Sequence, residues 1–251
     1  MSVSAPRGQP DPSALLAALD ARLLPVGLYD APDATPFAPL VEPAPGAKRG
    51  PCVFDFFRRW QAGETLHLTR ENFGCGGAGR ALVGVRTRER DDFIRFLCDD
   101  EGLRATRELM AGWVDTSPVY EMRCEHILIG PLHADQYAAL RTVTFWVNPD
   151  QLSVLLHGAY YEHAWGDPPP VIVPFGSGCM ELVATFDDLQ VPQAAITATD
   201  LAMRDQLPRE VVGFTATVPM FERLCALDRR SFLGKSFLAD LRRSRRGGLG
   251  S

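Results

Sequence analysis

The sequence lacks several features that would quickly assign it to a class of protein. It contains no Cys-x-x-Cys pair and no His-x-x-x-His pair, which argues against a zinc finger. No apolar stretch reaches the roughly 18–20 residues that a membrane span requires. Lys and Arg number 26 against 31 Asp and Glu, so the basic face typical of nucleic-acid-binding proteins is not expected. We therefore expect a protein with neither nucleic-acid nor membrane partners.

The amino-terminal residues also lack the apolar core of a signal peptide, and we expect a cytoplasmic protein. In that compartment the six cysteines are expected to be reduced thiols or ligands. A chain of 251 residues at 46% hydrophobic composition is long enough to bury a substantial core. We predict a disordered start over residues 1–12, one domain over 13–240 and a flexible basic, glycine-rich tail over 241–251. Two lobes with a break near 115–140 are an alternative.

Two segments share a pattern of strand, proline turn and helix. Residues 142–149 lead into a predicted helix from Asp150 to Tyr161, and residues 211–219 lead into one from Met220 to Leu227. Elsewhere strands and helices recur without strict alternation. This order predicts an α+β fold with mixed or antiparallel sheets and flanking helices, and the repeated pattern suggests two similar strand–helix halves.

Residues 31–51 contain six prolines, which predicts an extended loop. Long irregular connections are often functional or mobile. Whether this loop closes over a site as a lid is left open by the sequence.

Two cysteines are surrounded by glycine, one in residues 72–79 (NFGCGGAG) and the other in residues 175–179 (FGSGC). Glycine has no Cβ, so backbone amides approach a ligand closely at such positions. A thiol among such amides is suited to hold a metal, a cluster or an anion, or to act as a nucleophile. The two segments therefore predict a site without identifying its ligand.

The order of these motifs resembles the ArCR family, a microbial family of unknown function. The resemblance rests on Cys52 at a helix start, the NFGCGGA segment from Asn72, the IGPL turn from Ile129, NPDQL from Asn148 and the Gly178–Cys179 pair. It extends over residues 24–227. The family's glycine motif typically reads Cys-Pro-Gly-Gly-Ala, and here Gly76 replaces the proline. The resemblance implies that Cys52, Cys75 and Cys179 converge, and it implies no particular reaction.

The leading hypothesis is that Cys52, Cys75 and Cys179 bind an iron–sulfur cluster or another redox-active metal centre. Thiolates bind soft metals and clusters, and amide hydrogen bonds to sulfur tune such centres. His67 or Glu181 is a candidate fourth ligand. The protein would then be a redox or accessory factor, with the metal centre as its partner.

A thiol-dependent enzyme is a second hypothesis. Cys179 precedes residues 180–186, which look helical, and a helix amino terminus lowers the pKa of a thiol. His157 or His163 is the candidate base.

A third hypothesis is a metal-free module that binds an anionic or planar small molecule. Gly74, Gly76, Gly77 and Gly178 would surround the ligand, and His157 or His163 would be an axial ligand if that molecule were a tetrapyrrole. Residues 74–79 also match the G-x-G-x-x-G pattern of dinucleotide sites, which requires a strand, this turn and a helix in a βαβ unit.

Overall fold

The computed structural model describes residues 10–43 and 50–246. Eight strands are present in the described residues: β1 (Val26–Ala31), β2 (Leu40–Val41), β3 (Thr65–Leu68), β4 (His126–Gly130), β5 (Leu140–Val147), β6 (Val171–Ile172), β7 (Ala194–Thr197) and β8 (Val212–Thr217). The α-helices of the same residues are α1 (Ser13–Leu19), α2 (Phe57–Gln61), α3 (Gly76–Leu82), α4 (Arg90–Arg95), α5 (Arg107–Thr116), α6 (Pro149–Tyr160), α7 (Val218–Cys225) and α8 (Ser236–Arg246).

The strands form one mixed sheet in the order β2-β3-β4-β1-β5-β8-β7-β6. The two outermost pairs, β2 with β3 and β6 with β7, are parallel, and the central pairs are antiparallel. β1 pairs directly with β5, so strands from both sides of residues 115–140 belong to the same sheet. The predicted α+β class is confirmed.

Each face of the sheet packs against its own set of helices. Along β1, Val26 and Leu28 belong to one core, whereas Tyr29 and Ala31 belong to the other, as the two-residue period of a strand requires. We call the first side the cysteine face, because α2, α3 and Cys179 pack there. α1, α6 and α7 cover the opposite face.

The repeated strand–turn–helix pattern corresponds to two neighbouring units. β5 and β8 are antiparallel neighbours, each is followed by a helix with proline in its first turn, and α6 packs against α7 on the opposite face. Asn148 caps α6 by accepting a hydrogen bond from the Gln151 N–H at 3.0 Å, and the Gln151 side chain accepts from the Asn148 N–H.

Several predicted boundaries differ from the structure. Residues 180–186 contain only a 3₁₀ turn, Met180–Leu182. α5 begins at Arg107, because the Thr106 hydroxyl oxygen accepts a hydrogen bond from the Leu109 N–H and caps the helix there. The tail predicted from residue 241 is helical through Arg246, and Arg245 forms an ion pair with Asp150.

The proline-rich segment contains more structure than an extended loop. It holds a 3₁₀ turn at Thr35–Phe37 and the edge strand β2, and the Phe37 side chain is fully buried. Predictions that concern residues 1–9, 44–49 and 247–251 lie outside the described residues. Among the helices described, none is long and apolar enough to cross a membrane.

Candidate functional site

The loop after β3 brings the first glycine-surrounded cysteine beside the chain around residue 51. Gly74 adopts φ +74°, a left-handed conformation that favours glycine. A Cβ at Gly74 would lie 2.7 Å from the Pro51 carbonyl oxygen, closer than a real Cβ tolerates. The absence of a side chain at Gly74 therefore allows the segment that carries Cys52 to pack against the segment that carries Cys75.

Cys52 immediately precedes a short 3₁₀ turn, Val53–Phe56, which runs into α2. Its N–H donates to the Asp55 carboxylate at 2.8 Å, and its sulfur accepts a hydrogen bond from the Asp55 backbone. This reciprocal capping holds the Cys52 side chain at the start of the turn.

Cys179 is 4% exposed and also precedes a 3₁₀ turn. The residue before it, Gly178, packs against Phe54 and Met203, since a Cβ there would lie 2.8 Å from a ring carbon of Phe54. The Gly178 N–H donates to the Asp200 carboxylate at 3.1 Å. These contacts fix the loop that carries Cys179 on the cysteine face.

Cys75 and Cys179 meet at Gly77, in the first turn of α3, and Cys52 contacts Cys75. A Cβ at Gly77 would lie 3.3 Å from the Cys179 sulfur and 3.7 Å from both the Cys75 sulfur and the Ser177 hydroxyl oxygen. The thiols of Cys52 and Cys179 both hydrogen-bond to the Cys75 sulfur, which is central. We call Cys52, Cys75 and Cys179 the thiol cluster.

The arrangement assigns different charges to the three sulfurs. Hydrogen bonds from Cys179 and then Cys52, with weaker ones from the amides of Ala78 and Gly77, hold the pKa of Cys75 well below its ordinary value. The same bonds, together with burial, raise the pKa of Cys52 and of Cys179. Of the three sulfurs, the arrangement therefore favours the ionised form at Cys75 and the protonated form at Cys52 and Cys179.

This charge distribution differs from the expectation for Cys179. A helix amino terminus was expected to lower the pKa of that thiol, but the turn after Cys179 is only three residues long. Donation of its S–H to Cys75, together with burial, raises the pKa of Cys179 instead. The sulfur stabilised as an anion is Cys75.

The candidate fourth ligands are engaged elsewhere. His67 lies between Glu42, at 2.9 Å from its Nδ1, and His126, at 3.0 Å from its Nε2. Glu181 is buried and accepts hydrogen bonds from the Thr199 N–H and hydroxyl. Over residues 10–43 and 50–246, no three side chains of His, Cys, Asp or Glu are arranged to hold a metal ion.

His157 and His163 are not brought to the thiol cluster. His157 lies on α6, which packs on the opposite face of the sheet, and its Nδ1 contacts the Ser153 carbonyl oxygen at 2.8 Å. His163 follows that helix and packs edge-on against Tyr160. The sheet therefore lies between His157, on α6, and the thiol cluster.

The four glycines predicted to bind a ligand have different roles. The Gly77 amide donates to the Cys75 sulfur, whereas the Gly178 amide donates to Asp200. Gly74 allows the Pro51 contact described above. Gly76 is exposed and lies against the Thr87 hydroxyl.

The G-x-G-x-x-G match is not part of a dinucleotide fold. Seven residues separate β3 from α3, and the next strand, β4, runs antiparallel to β3. A dinucleotide site requires parallel strands joined through the helix, with the glycine turn directly after the first strand.

Some neighbours of the cluster carry no sequence signal of their own. The Ser177 hydroxyl lies 3.5 Å from the Cys179 sulfur, and the sequence indicates this contact only through the presence of both residues in the second glycine segment. The guanidinium carbon of Arg88 lies 3.8 Å from the centre of the Phe96 ring, eight residues away in the sequence. That of Arg104 lies 4.0 Å from the centre of the Phe175 ring, 71 residues away. Proximity of this kind depends on the fold.

The fold and site define an α+β protein with a cluster of three thiols on one face of its sheet. A family model described as "Uncharacterised ArCR" matches residues 14–226, and the chain belongs to this family. No curated protein matches the chain, and no solved structure matches it.

Proposed function

We propose that the protein is a thiol-dependent redox protein in which the Cys75 thiolate exchanges with the disulfide of a small substrate. The observation that carries this proposal is the position of the Cys75 sulfur, which accepts hydrogen bonds from both other thiols and from two backbone amides. A thiolate is the reacting species in thiol–disulfide exchange.

The exchange proceeds in two steps. The Cys75 thiolate attacks one sulfur of the substrate disulfide, the substrate S–S bond breaks, one substrate thiolate leaves and a mixed disulfide forms. Cys179 then loses its proton to solvent and attacks the Cys75 sulfur, which expels the second substrate thiolate. The protein has lost two electrons and one proton and contains a Cys75–Cys179 disulfide, and the substrate disulfide has become two thiolates.

Cys179 is the better partner for the second step. Its hydrogen bond makes the largest contribution to the low pKa of Cys75, and Gly77 lies against both sulfurs. Cys52 then remains a donor to the Cys75 sulfur. A thiolate with a depressed pKa stabilises the reduced form and is a good leaving group, so the exchange also runs in reverse, with the Cys75–Cys179 disulfide oxidising two substrate thiols to their disulfide.

Disulfide mapping tests this proposal. The reduced, metal-free protein is treated with diamide, digested without reduction and analysed by mass spectrometry. We expect a Cys75–Cys179 peptide pair in the wild type and in Cys52→Ser, and none in Cys179→Ser. A Cys75–Cys52 pair in the wild type would contradict the assignment of Cys179, and the absence of any disulfide at Cys75 would contradict the redox function.

A second candidate is that the thiol cluster binds an iron–sulfur cluster or another soft metal centre. Three soft sulfur donors from separate segments meet here, and the Ser177 hydroxyl lies beside them. Binding would require Cys52 and Cys179 to lose their protons and the sulfurs to close around the metal. Iron and zinc analysis with a visible spectrum, on protein purified without oxygen, tests it. Stoichiometric metal that Cys75→Ser and Cys179→Ser both lose would support this candidate, and metal-free, colourless protein would exclude it.

A further inference from the structure

In the described part of the chain, the thiol cluster has exposed residues on one border. Cys179 is buried and Cys52 and Cys75 are half-buried, but Gly76, which follows Cys75, is exposed. Phe175, four residues before Cys179, is 42% exposed. A Cβ at Gly77, next to Gly76, would lie 3.7 Å from both the Cys75 sulfur and the hydroxyl oxygen of Ser177, two residues after Phe175. We call the border formed by Gly76 and Phe175 the open edge.

Three arginines lie around the open edge. Thr87 lies against Gly76, which places the flanking Arg86 and Arg88 next to the amino terminus of α3. Arg104 stacks on the Phe175 ring at 4.0 Å. The open edge thus has cationic side chains on both sides.

These arginines are available to an anion. Within the described parts of the chain, no carboxylate lies within ion-pairing distance of Arg86, Arg88 or Arg104. Arg104 also has a buried Nε–H without a hydrogen-bond partner among those residues. Arg90, in contrast, is already paired with Asp115 and Asp91.

A polar cavity of about 440 Å³ lies beside this edge and is lined by Arg86, Thr87, Arg88, Glu89, Arg90 and Asp92. Its size suits part of a small molecule rather than a protein chain. Its lining also includes two carboxylates, Glu89 and Asp92, and Asp92 is paired with Arg95.

We infer that the substrate is a small disulfide or thiol that carries carboxylate groups, which Arg86, Arg88 and Arg104 attract to the open edge. This inference rests on the redox function proposed above. Unpaired cations around a cleft raise the local concentration and the association rate of an anion, and the aromatic rings under two of them hold the guanidinium groups in place.

Two probe disulfides that differ in charge test the inference. Dithiobis(nitrobenzoate) is a dianion and dithiodipyridine is neutral, and each releases a thiol that is followed by its absorbance. The rate of the phase that Cys75→Ser abolishes is measured for each probe at about 0.01 M ionic strength, where the Debye length is about 30 Å. The ratio of the two rates reports charge selectivity and cancels differences in the intrinsic reactivity of the thiol.

The double variant Arg86→Gln/Arg88→Gln should lower the rate with the dianion by about three- to tenfold and leave the rate with the neutral probe unchanged. Arg223→Gln, an exposed change on α7, is the control and should alter neither rate. An unchanged ratio in the double variant would overturn the inference while the redox function stands. Failure of Cys75 to react with either probe in the wild type would overturn the redox function, and the inference with it.

Discussion

Replacing Cys179 with alanine removes the strongest donor to the Cys75 sulfur and should raise the pKa of Cys75. A hydrogen bond to a charged group contributes about 1.5–3 kcal/mol. One pKa unit corresponds to about 1.36 kcal/mol, so the pKa of Cys75 should rise by about one to two pH units. The Cys52 thiol and the amides of Gly77 and Ala78 remain in place, and the pKa of Cys75 should still lie below that of a free thiol.

The assay is the rate of alkylation of Cys75 by iodoacetamide as a function of pH. Because only the thiolate reacts, the rate is constant above the pKa and falls tenfold per pH unit below it. Cys179→Ser is the matched control, since a hydroxyl also donates a hydrogen bond. Its profile should lie close to that of the wild type. Identical profiles for Cys179→Ala and the wild type would refute the argument that the Cys179 thiol stabilises the Cys75 thiolate.

Three further changes test other parts of the structure. Gly77→Ala adds a Cβ 3.3 Å from the Cys179 sulfur and should raise the pKa of Cys75 in the same alkylation assay, whereas Gly112→Ala, with open space around it, should not. Burial raises the pKa of Glu181, so the folded state favours its protonated form. Wild-type stability should therefore fall as pH rises through that pKa, and thermal unfolding of Glu181→Gln should lack this loss. Asp30→Asn should cost about 1–3 kcal/mol in denaturant unfolding, because this buried carboxylate accepts three hydrogen bonds.

Much of the fold follows from local patterns in the sequence. The alternation in residues 65–69 and the apolar run from His126 predict β3 and β4, and the proline turns at Pro149 and Pro219 predict the starts of α6 and α7 to within a few residues. β6 and β7 were not predicted. β6 has only two residues and β7 four, so neither is long enough to carry a clear period.

The site is only partly predictable from the sequence. Each cysteine of the thiol cluster precedes a helix or a helical turn, which the local sequence predicts for Cys52 and Cys179 but not for Cys75. Their hydrogen bonds join segments that are 23 and 104 residues apart, and no local pattern encodes such contacts. Which sulfur is ionised depends on which cysteine lies between the other two. The sequence predicts the lowered pKa at Cys179, because a helix is expected to follow it, whereas the fold lowers the pKa of Cys75.

The histidines illustrate the same limit. His157 and His163 are near other polar and aromatic residues in the sequence, which suggested a ligand pocket. The hydrophobic positions of α6 place that helix on the opposite face of the sheet from Cys179. The face of the sheet that a helix covers depends on the order of the strands. The sequence of the helix alone does not encode that order.

The most direct test of the central claim is the site of alkylation at low pH. Reduced protein is treated with iodoacetamide at about pH 5.5 in the presence of a chelator, and the label at each of the six cysteines is quantified by mass spectrometry. An ordinary thiol with a pKa near 8.5 is about 0.1% ionised at that pH. We predict label at Cys75 well above that at Cys98 and Cys124, which are half-buried and lie outside the thiol cluster. Equal or lower labelling of Cys75 would contradict the claim that it is the reactive thiolate.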